Sequence, residues 1–573
     1  MPWKPEFDAP LQNNDIPLEP TIQEVKEPLK ALLIELQEIE IEIQRLQCEL
    51  RVVETMKIKR ETIHDHNFIL SPVRRLPQDV LYEIFLHCLP THRNPIMTSS
   101  ESPLLLTRIC SSWRAIAFSS PRIWSKIHIP LPGDPSFNPG YRITTLETSC
   151  QRIAGILQLQ CDAVRRWLLR SGKCPLSISI YHPSSYSDLQ NTGAKERSQE
   201  MFNILLSFAD RWSDVDLSMP EDIYTQLQGN TQPTTFSSLK SLKLDLHRNF
   251  HNNLQSPPIR ILDAPGLCSI TISAIQTTYD MIGKLVQPVW NRLMHITLAS
   301  AIIDTYLVCL LRRCPNLVFG NFMIIPSPWP VQPIVDQEDI LLPCLESLSV
   351  SDSGVYKTMS IIFNAIKAPA LTKLSYQRTV FSHSDSSTIS LPAPMIPLLS
   401  NSTLISHLIL DGQLSSQDIQ ECLREEQVTH LVFGSPLRTD PPGCITYPLL
   451  VDQGRVCPDV FDLKLLSIGS PAVTRLPRLE SLEAYNLASL RDEDLLNMIR
   501  SRINAFRRRE IVALKSVKIY FRRPMQKYIA EEVSRLAKEV GVEVKLDLTY
   551  APAGFKFLDR LSPSFELALN DSL

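Results

Sequence analysis

The chain has 573 residues and a formal net charge of −3, and its 44% hydrophobic and 21% charged residues are ordinary for a folded protein. This length allows several domains or one extended repeat array, and the small net charge gives no electrostatic case for binding nucleic acid or a membrane surface. The chain has only 17 glycines but 44 prolines, which argues against glycine-loop nucleotide sites and predicts short elements joined by stiff connections.

Targeting and redox signals are also limited. No run of about 18 uncharged apolar residues occurs, so we expect no membrane-spanning helix. The N-terminal segment lacks a basic start followed by an apolar run, so we expect no signal peptide. The 13 cysteines are scattered without a Cys-x-x-Cys pair, which is typical of reduced thiols in the cytoplasm or nucleus.

The first patterned segment is a heptad repeat that follows a tail, residues 1–26, predicted to be disordered. Apolar residues recur in alternating steps of three and four from Ile22 to Val53, which keeps one stripe on one side of a helix and indicates a coiled coil. Pro28 fits the first turn of a helix but not its middle, so the coiled-coil-like helix is predicted to span residues 27–64.

Two interpretations of the heptads remain open. Residues 29–53 form between three and four heptads, enough for self-association through the apolar stripe. Alternatively, the segment is a single helix that lies on the following domain, because short coiled coils are only marginally stable.

Residues 70–130 are predicted to form a small group of short helices. Pro77 suits a first helical position, and the residues after it form one wide apolar helical face. A module this small cannot bury all of its apolar side chains alone, and leftover apolar surface on a helical module usually indicates a protein partner. The face consists of Val80, Leu81, Ile84, Phe85, Cys88 and Leu89.

This segment resembles an F-box. The resemblance is carried by Leu76-Pro77 and the apolar face, then by "LLLTRICSSWRAIA", Pro121 and Trp124, and the heptad context is similar to fungal F-box-like proteins. The resemblance implies a motif that docks on the Skp-type linker of cullin-RING (SCF) ubiquitin ligases. The linker-facing residues that it implies are Leu76, Pro77, Val80, Leu81 and Ile84. The internal packing residues that it implies are Phe85, Leu89, Trp113 and Trp124.

One feature departs from the commonest F-box, an insert from Thr91 to Ser102 that precedes the second helix. A second interpretation of the whole segment also remains open. Exposed apolar helices can serve as cap elements, so the module can instead be a three-helix cap buried on its own repeat domain.

Residues 140–550 carry a recurring pattern, L-x-x-L-x-L, in which each copy predicts a short strand with its apolar positions in a shared core. Successive starts from residue 239 to residue 371 differ by 28, 26, 24, 28 and 26, within the 20 to 29 residue period of leucine-rich repeats. The asparagine expected after each strand is absent, and the spacing becomes irregular after Leu371. We therefore predict an irregular array of leucine-rich-repeat-like units. The copies start at residues 239, 267, 293, 345, 371, 405, 428, 463, 479 and 514, with weaker ones at 212 and 317.

The end of the array is predicted from an amphipathic helix that Gly541 stops, followed by a strand, which suits a closing cap. Residues 551–573 are predicted to be a C-terminal tail. Taken in chain order, the fold class is α/β: an N-terminal heptad helix, a small all-α F-box, and then an irregular leucine-rich-repeat-like solenoid.

The sequence shows no catalytic constellation, no cofactor motif and no pattern typical of a metal site. His247 and His251, near Asp245, are four residues apart but follow a strand into a polar loop, which does not suit zinc. The basic run at residues 500–510 is predicted to be a solvated helix face without the aromatic residues that stack on single-stranded bases. Cys309 and Cys314 are predicted to be buried thiols.

The expected function is therefore that of a non-enzymatic substrate receptor in the cytoplasm or nucleus. Its partners would be a Skp-type linker with the cullin-RING core and an unknown target protein on the repeat array. The alternative is a scaffold that self-associates through residues 29–53 and joins no ligase.

Overall fold

The structure is a computed structural model that describes residues 19–550 apart from several internal segments. The described chain divides into two compact units, residues 1–84 and 85–573. This division lies inside the segment that resembles an F-box, not at residue 70 or residue 130. The segments that are not described are residues 1–18, 71, 133–145, 183–192, 221–223, 225–232, 248–259, 275–287, 326–338, 353–355, 379–392, 411–413, 415, 425, 435–462, 469–474, 488–489, 522 and 551–573.

The first unit contains one long helix, α1 (Glu19–Leu70), and a short 3-10 turn, Pro72–Arg75. The helix begins before the predicted start near residue 27 and ends beyond residue 64. Pro28 lies inside it, where proline removes one backbone hydrogen bond, so the expectation that Pro28 marks the first turn is wrong. Residues 19–26, predicted to be disordered, are helical, whereas the predicted C-terminal tail lies outside the described residues.

Three of the remaining helices, α2 to α4, precede the first strand, and the others lie between strands in chain order. No described helix is long and apolar enough to cross a membrane. These helices are α2 (Gln78–His87), α3 (Leu106–Ile109), α4 (Ser111–Phe118), α5 (Leu146–Arg170), α6 (Gly193–Leu206), α7 (Asp304–Arg313), α8 (Tyr356–Ala365), α9 (Ile396–Asn401), α10 (Ser416–Cys422), α11 (Asp492–Arg507) and α12 (Ala530–Val540).

The second unit is built on a large parallel sheet. Its strands follow chain order from one edge to the other, and β8 and β10 form a separate parallel pair. The strands are β1 (Lys126–Pro130), β2 (Leu176–Tyr181), β3 (Trp212–Pro220), β4 (Ser241–His247), β5 (Ser269–Ala274), β6 (His295–Ile303), β7 (Phe319–Ile325), β8 (Ile340–Leu341), β9 (Ser347–Asp352), β10 (Ile366–Lys367), β11 (Lys373–Arg378), β12 (His407–Leu410), β13 (His430–Phe433), β14 (Ser481–Leu487), β15 (Ser516–Phe521) and β16 (Lys545–Tyr550).

The register of the sheet aligns the apolar positions of successive strands. Leu348 of β9 is opposite Leu374 of β11, which is opposite Leu408 of β12, and the three side chains are at most 1% exposed. Because side chains alternate along a strand, this alignment gives the sheet one buried face of leucine, isoleucine and valine. The other face carries the intervening residues, which are partly exposed. The fold is therefore mixed α/β with a long N-terminal helix and a large parallel sheet.

Three sequence predictions about the second unit are wrong. The copy of the repeat at residue 463 forms a 3-10 helix, Leu463–Leu466, whose Leu466 is buried. The segment predicted to be an all-α module includes β1, which pairs with β2 at one edge of the sheet. Cys309 is exposed on α7, whereas Cys314 is buried as expected, and burial raises the pKa of its thiol to about 12.

Candidate protein-binding surfaces

The first candidate surface is a row of exposed apolar side chains in the first unit. Val80 and Ile84 are four residues apart on one side of α2, and Val73 in the 3-10 turn and Pro77 just before the helix add further exposed apolar side chains. Val73 is 42% exposed, Val80 40% and Ile84 38%. Pro77 directly precedes the helix, and its carbonyl accepts the backbone N–H of Leu81 at 3.1 Å. We call these four residues the α2 stripe.

The five residues implied to face a linker differ in their exposure to solvent. Pro77, Val80 and Ile84 are exposed and Leu76 is half-buried, but Leu81 is only 6% exposed. The expectation that Leu81 faces the linker is therefore wrong. The physical reason is the helical period: Leu81 shares a stripe with Phe85 and Leu89, four and eight residues further on, and that stripe is the buried one.

The four residues implied to pack internally all contribute to the interior of the second unit. Phe85 and Trp124 are fully buried, and Leu89 is 8% exposed. Trp113 is half-buried, with its ring centroid 4.9 Å from that of Phe85. This contact holds the end of α2 against α4.

Trp124 also connects the short helices to the sheet. Its indole N–H donates to the carbonyl of Ala117 at 2.8 Å, and its ring meets that of Trp167 on α5 edge-on at 4.9 Å. The guanidinium of Arg170, also on α5, lies 4.4 Å from the Phe118 ring centroid. The end of α4 and the 3-10 turn at residues 121–124 therefore pack on α5.

The insert at residues 91–102 lies along the start of the sheet. Asn94 donates to the Ser179 hydroxyl at 3.2 Å, and its side-chain oxygen accepts the Ser177 hydroxyl at 3.0 Å, both on β2. Arg93 and Glu101 form an ion pair across the insert, with a shortest distance of 2.5 Å. The insert thus fastens the helical part of the second unit to the sheet.

The second candidate surface is the partly exposed face of the sheet. On β5, β6, β7 and β9 its described side chains carry no acidic residue, lysine or arginine, and most are short and polar; we call this region the neutral band. Hydroxyl and amide groups at such spacing suit hydrogen bonding to a partner surface rather than ion pairing. The outward residues of the neutral band are Ser269, Thr271, Ser273, His295, Thr297, Ala299, Phe319, Asn321, Met323, Ile325, Ser347, Ser349 and Ser351.

Two stacked histidines continue this face beyond the neutral band. The rings of His407 on β12 and His430 on β13 are parallel within 9°, with centroids 4.1 Å apart. Burial lowers the pKa of His407, and the neighbouring His430 and Lys373 lower it further. The neutral form of its imidazole is therefore favoured relative to that of a free histidine side chain.

On the same face of the sheet, charged pairs flank the neutral band and the two histidines. Lys243 on β4 is 3.0 Å from Asp216 on β3, and Lys518 on β15 is 3.2 Å from Glu483 on β14. The Tyr485 and Tyr520 rings stack near the second pair at 4.7 Å. Burial and a hydrogen bond to Glu483 raise the pKa of the Tyr485 hydroxyl to about 12, so it donates at neutral pH.

The basic run at residues 500–510 is not the uniform solvated face predicted from sequence. Arg502 is 1% exposed and donates to the carbonyls of Leu466 and Leu476, at 3.2 and 2.7 Å. Burial lowers the pKa of this guanidinium to about 10. Arg508 pairs with Glu510 at 2.7 Å. One of these arginines therefore serves packing inside the second unit, and a neighbouring carboxylate offsets another.

No protein-family model matches the chain, and no curated protein matches it. One solved structure, a crystal structure of a protein from Bacteroides fragilis determined by a structural genomics consortium, is similar at 13% identity with a TM-score of 0.25. The likeness covers 71% of this chain and 84% of that chain, and it is too weak to indicate a partner or a function. Among the described residues, no group of three or more metal-ligating side chains lies together.

Proposed function

We propose that the chain is the substrate-recognition subunit of an SCF-type, cullin-RING E3 ubiquitin ligase and performs no chemistry itself. The observation that carries the proposal is the α2 stripe, in which Pro77, Val80 and Ile84 remain exposed at positions that the F-box resemblance assigns to the linker. Exposed apolar helical residues adjoining a packed module are suited to a helix-binding partner. The occupant of this stripe is a Skp-type linker protein.

The sheet is the proposed target-binding part, as one face of an irregular leucine-rich-repeat-like solenoid. Parallel strands in chain order, each carrying the same apolar pattern in register, support this architecture. The neutral band lies on the partly exposed face, where it can contact a target protein through hydrogen bonds. Recognition there raises the effective concentration of the target at the ubiquitin-transfer site. This role belongs to the cytoplasm or the nucleus.

The linker contact is tested with purified components. In the double variant V80E/I84E, two charges replace exposed apolar side chains, and we expect recovery of a purified Skp-type linker on the full-length chain to fall about tenfold or more. The matched control is I361E, because Ile361 on α8 is also an exposed apolar helical residue, at 53%. Circular dichroism and a thermal melt show whether each variant keeps its fold.

The result also separates the proposal from the alternative. If the native chain recovers no linker under conditions in which other F-box proteins recover it, the ligase role is wrong and the scaffold interpretation remains. Equal recovery by V80E/I84E and I361E would show that the linker binds elsewhere. The exposed apolar residues of α1 are the observation that favours a scaffold, and they are a separate surface.

A further inference from the structure

The apolar stripe of α1 is open to solvent along the whole heptad segment. In heptad notation, position a and position d form the stripe, and each side chain is between 48% and 62% exposed. The stripe is about 36 Å long, at 1.5 Å per residue. A stripe of large apolar residues is normally covered, because each buried side chain stabilises the covered state. Position a is occupied by Leu29, Leu36, Ile43 and Leu50, and position d by Leu32, Ile39, Leu46 and Val53.

The residues that border this stripe are acidic. Positions e and g flank the seam of a coiled coil and select its partner. Between residues 29 and 54, neither position is occupied by lysine or arginine, and the two neutral residues are Leu33 and Gln47. The acidic residues are Glu35, Glu42 and Glu49 at g and Glu40 and Glu54 at e, and all are exposed.

A second copy of the chain does not suit this border. In a parallel pair, position g faces position e of the next heptad in the partner, so Glu35 would face Glu40 and Glu49 would face Glu54. By symmetry each contact occurs twice. In an antiparallel pair, the glutamates at g would face one another. Either orientation places like charges along both sides of the seam, which opposes association.

Two described ion pairs join a cation of the same helix to this border. Arg45, at position c, is 3.6 Å from Glu42 and 3.3 Å from Glu49. Its side chain is 67% exposed, so these contacts contribute little, and one guanidinium is shared by two carboxylates. The border remains acidic, and a helix with basic residues at e and g is the complementary partner.

We propose that residues 29–53 bind a helix of a different protein, one with apolar residues at a and d and with lysine or arginine at e and g. The partner helix spans at least three heptads, because the stripe does. The proposal concerns α1 alone, so it does not depend on the ligase role. It competes with self-association through the same residues, the arrangement that the scaffold interpretation requires.

The test uses the full-length chain and two synthetic peptides of four heptads. Both peptides carry leucine at a and d; the lysine probe has Lys at every e and g position, and the glutamate probe has Glu there. We expect the lysine probe to bind about tenfold more tightly or better in fluorescence anisotropy, with affinity falling as salt is added. Equal binding of the two probes, or binding of neither, overturns the proposal.

Charge-reversal variants localise the effect. In E35K/E49K, lysines replace two of the g residues, and we expect the variant to lose its preference for the lysine probe. The control E27K/E38K makes the same charge change at positions f and c, away from the seam, and should keep the preference. If the control changes as much as E35K/E49K, the effect is one of net charge and the seam is not the binding site.

Light scattering supplies a second measurement without any probe. The native chain is expected to scatter as a monomer of 65.0 kDa at micromolar concentration. In E35K/E49K, the introduced lysines would face Glu40 and Glu54 of the second copy in a parallel pair, so the variant should form dimers. A native chain with twice the monomer mass under these conditions would show that a second copy covers the stripe and would refute the proposal.

Discussion

At the scale of single residues, Asp492 connects three segments of the C-terminal part of the sheet region. Its carboxylate lies 2.7 Å from the guanidinium of Arg523 and accepts the Tyr550 hydroxyl at 3.1 Å. It also accepts the backbone N–H groups of Gln526 and Lys527, each at 2.8 Å. Burial alone would raise the pKa of this carboxyl, but the donors outweigh burial and hold the pKa below its ordinary value.

Removing this carboxylate should be costly. Asp492 is 1% exposed and Arg523 is 8% exposed, so D492A would leave a buried guanidinium without its counter-charge. We expect the free energy of unfolding of the C-terminal part to fall by about 3–5 kcal/mol, measured by urea titration. The control is E493A, which removes a neighbouring ion pair, to Lys527 at 2.6 Å, that is half-exposed. That variant should unfold at nearly the native urea concentration, and a comparable loss in both would contradict the assigned role.

The same carboxylate makes stability depend on acid pH. The pKa of Asp492 is lower in the folded chain than in the unfolded chain, so the ionised form is favoured by folding. This contribution is complete above about pH 4, the ordinary range of an aspartate, and is lost as the pH falls through the folded-state pKa. We expect D492N to lose less stability than the native chain between neutral pH and acid pH in urea titrations. Parallel pH profiles for the two proteins would show that the carboxylate is not the group involved.

At the scale of elements, two helices end at a residue in the left-handed backbone conformation, and the two residues differ in type. α12 ends at Gly541, which adopts the left-handed conformation with φ 73°, as the sequence predicted. α11 ends with Arg509 in that conformation, with φ 62°, and its N–H donates to the carbonyl of Phe506 at 2.8 Å. Glycine adopts this conformation without the steric cost that a side chain brings.

Exchanging these cap residues should therefore change stability in opposite directions. We expect R509G to raise the free energy of unfolding by about 0.5–1 kcal/mol and G541A to lower it by about 1 kcal/mol. Differential scanning calorimetry of the two variants and the native chain measures both changes. A destabilised R509G would mean that the arginine side chain contributes more than its backbone conformation costs.

The strands that repeat one apolar pattern were predictable, because the pattern depends on neighbouring residues alone. The copy at residue 463 has the same pattern but forms a 3-10 helix, and the carbonyl of Leu466 accepts a hydrogen bond from Arg502, 36 residues away. A contact that distant leaves no local signal. The burial of Leu81 was also not predictable from the sequence. Leu81 and Val80 belong to one wide apolar face, and periodicity does not show which part of that face another segment covers.

The candidate surfaces were predictable to different extents. Exposed positions for Val80 and Ile84 were implied by the F-box resemblance, whereas nothing in the sequence indicated the neutral band, because it requires the register of separate strands. The prediction that the basic run at residues 500–510 is a solvated helix face is wrong at Arg502, for an electrostatic reason. Burying Arg502 is tolerated because backbone carbonyls accept its hydrogen bonds, and one of these carbonyls, that of Leu466, lies in a 3-10 helix that the sequence pattern assigned to a strand.

At the scale of the whole second unit, the order of strands implies that each one depends mainly on its two neighbours. In a repeat array, stability is approximately a sum of repeat terms and nearest-neighbour terms. A buried hydrogen bond provides a local probe of this coupling: the hydroxyl of Tyr376 on β11 donates to the carboxylate of Asp352 on β9 at 2.5 Å, and both residues are fully buried.

The variant Y376F removes this donor while keeping the ring, and we expect it to destabilise the adjoining strands by about 1–3 kcal/mol, because a buried carboxylate loses a partner. Hydrogen exchange followed by mass spectrometry should show faster exchange in β9, β11 and β12, while β1–β4 keep their native rates. That pattern is the one expected of a solenoid with nearest-neighbour coupling. If exchange accelerates equally from β1 to β16, the sheet opens as one cooperative unit, and the solenoid proposal loses its energetic basis.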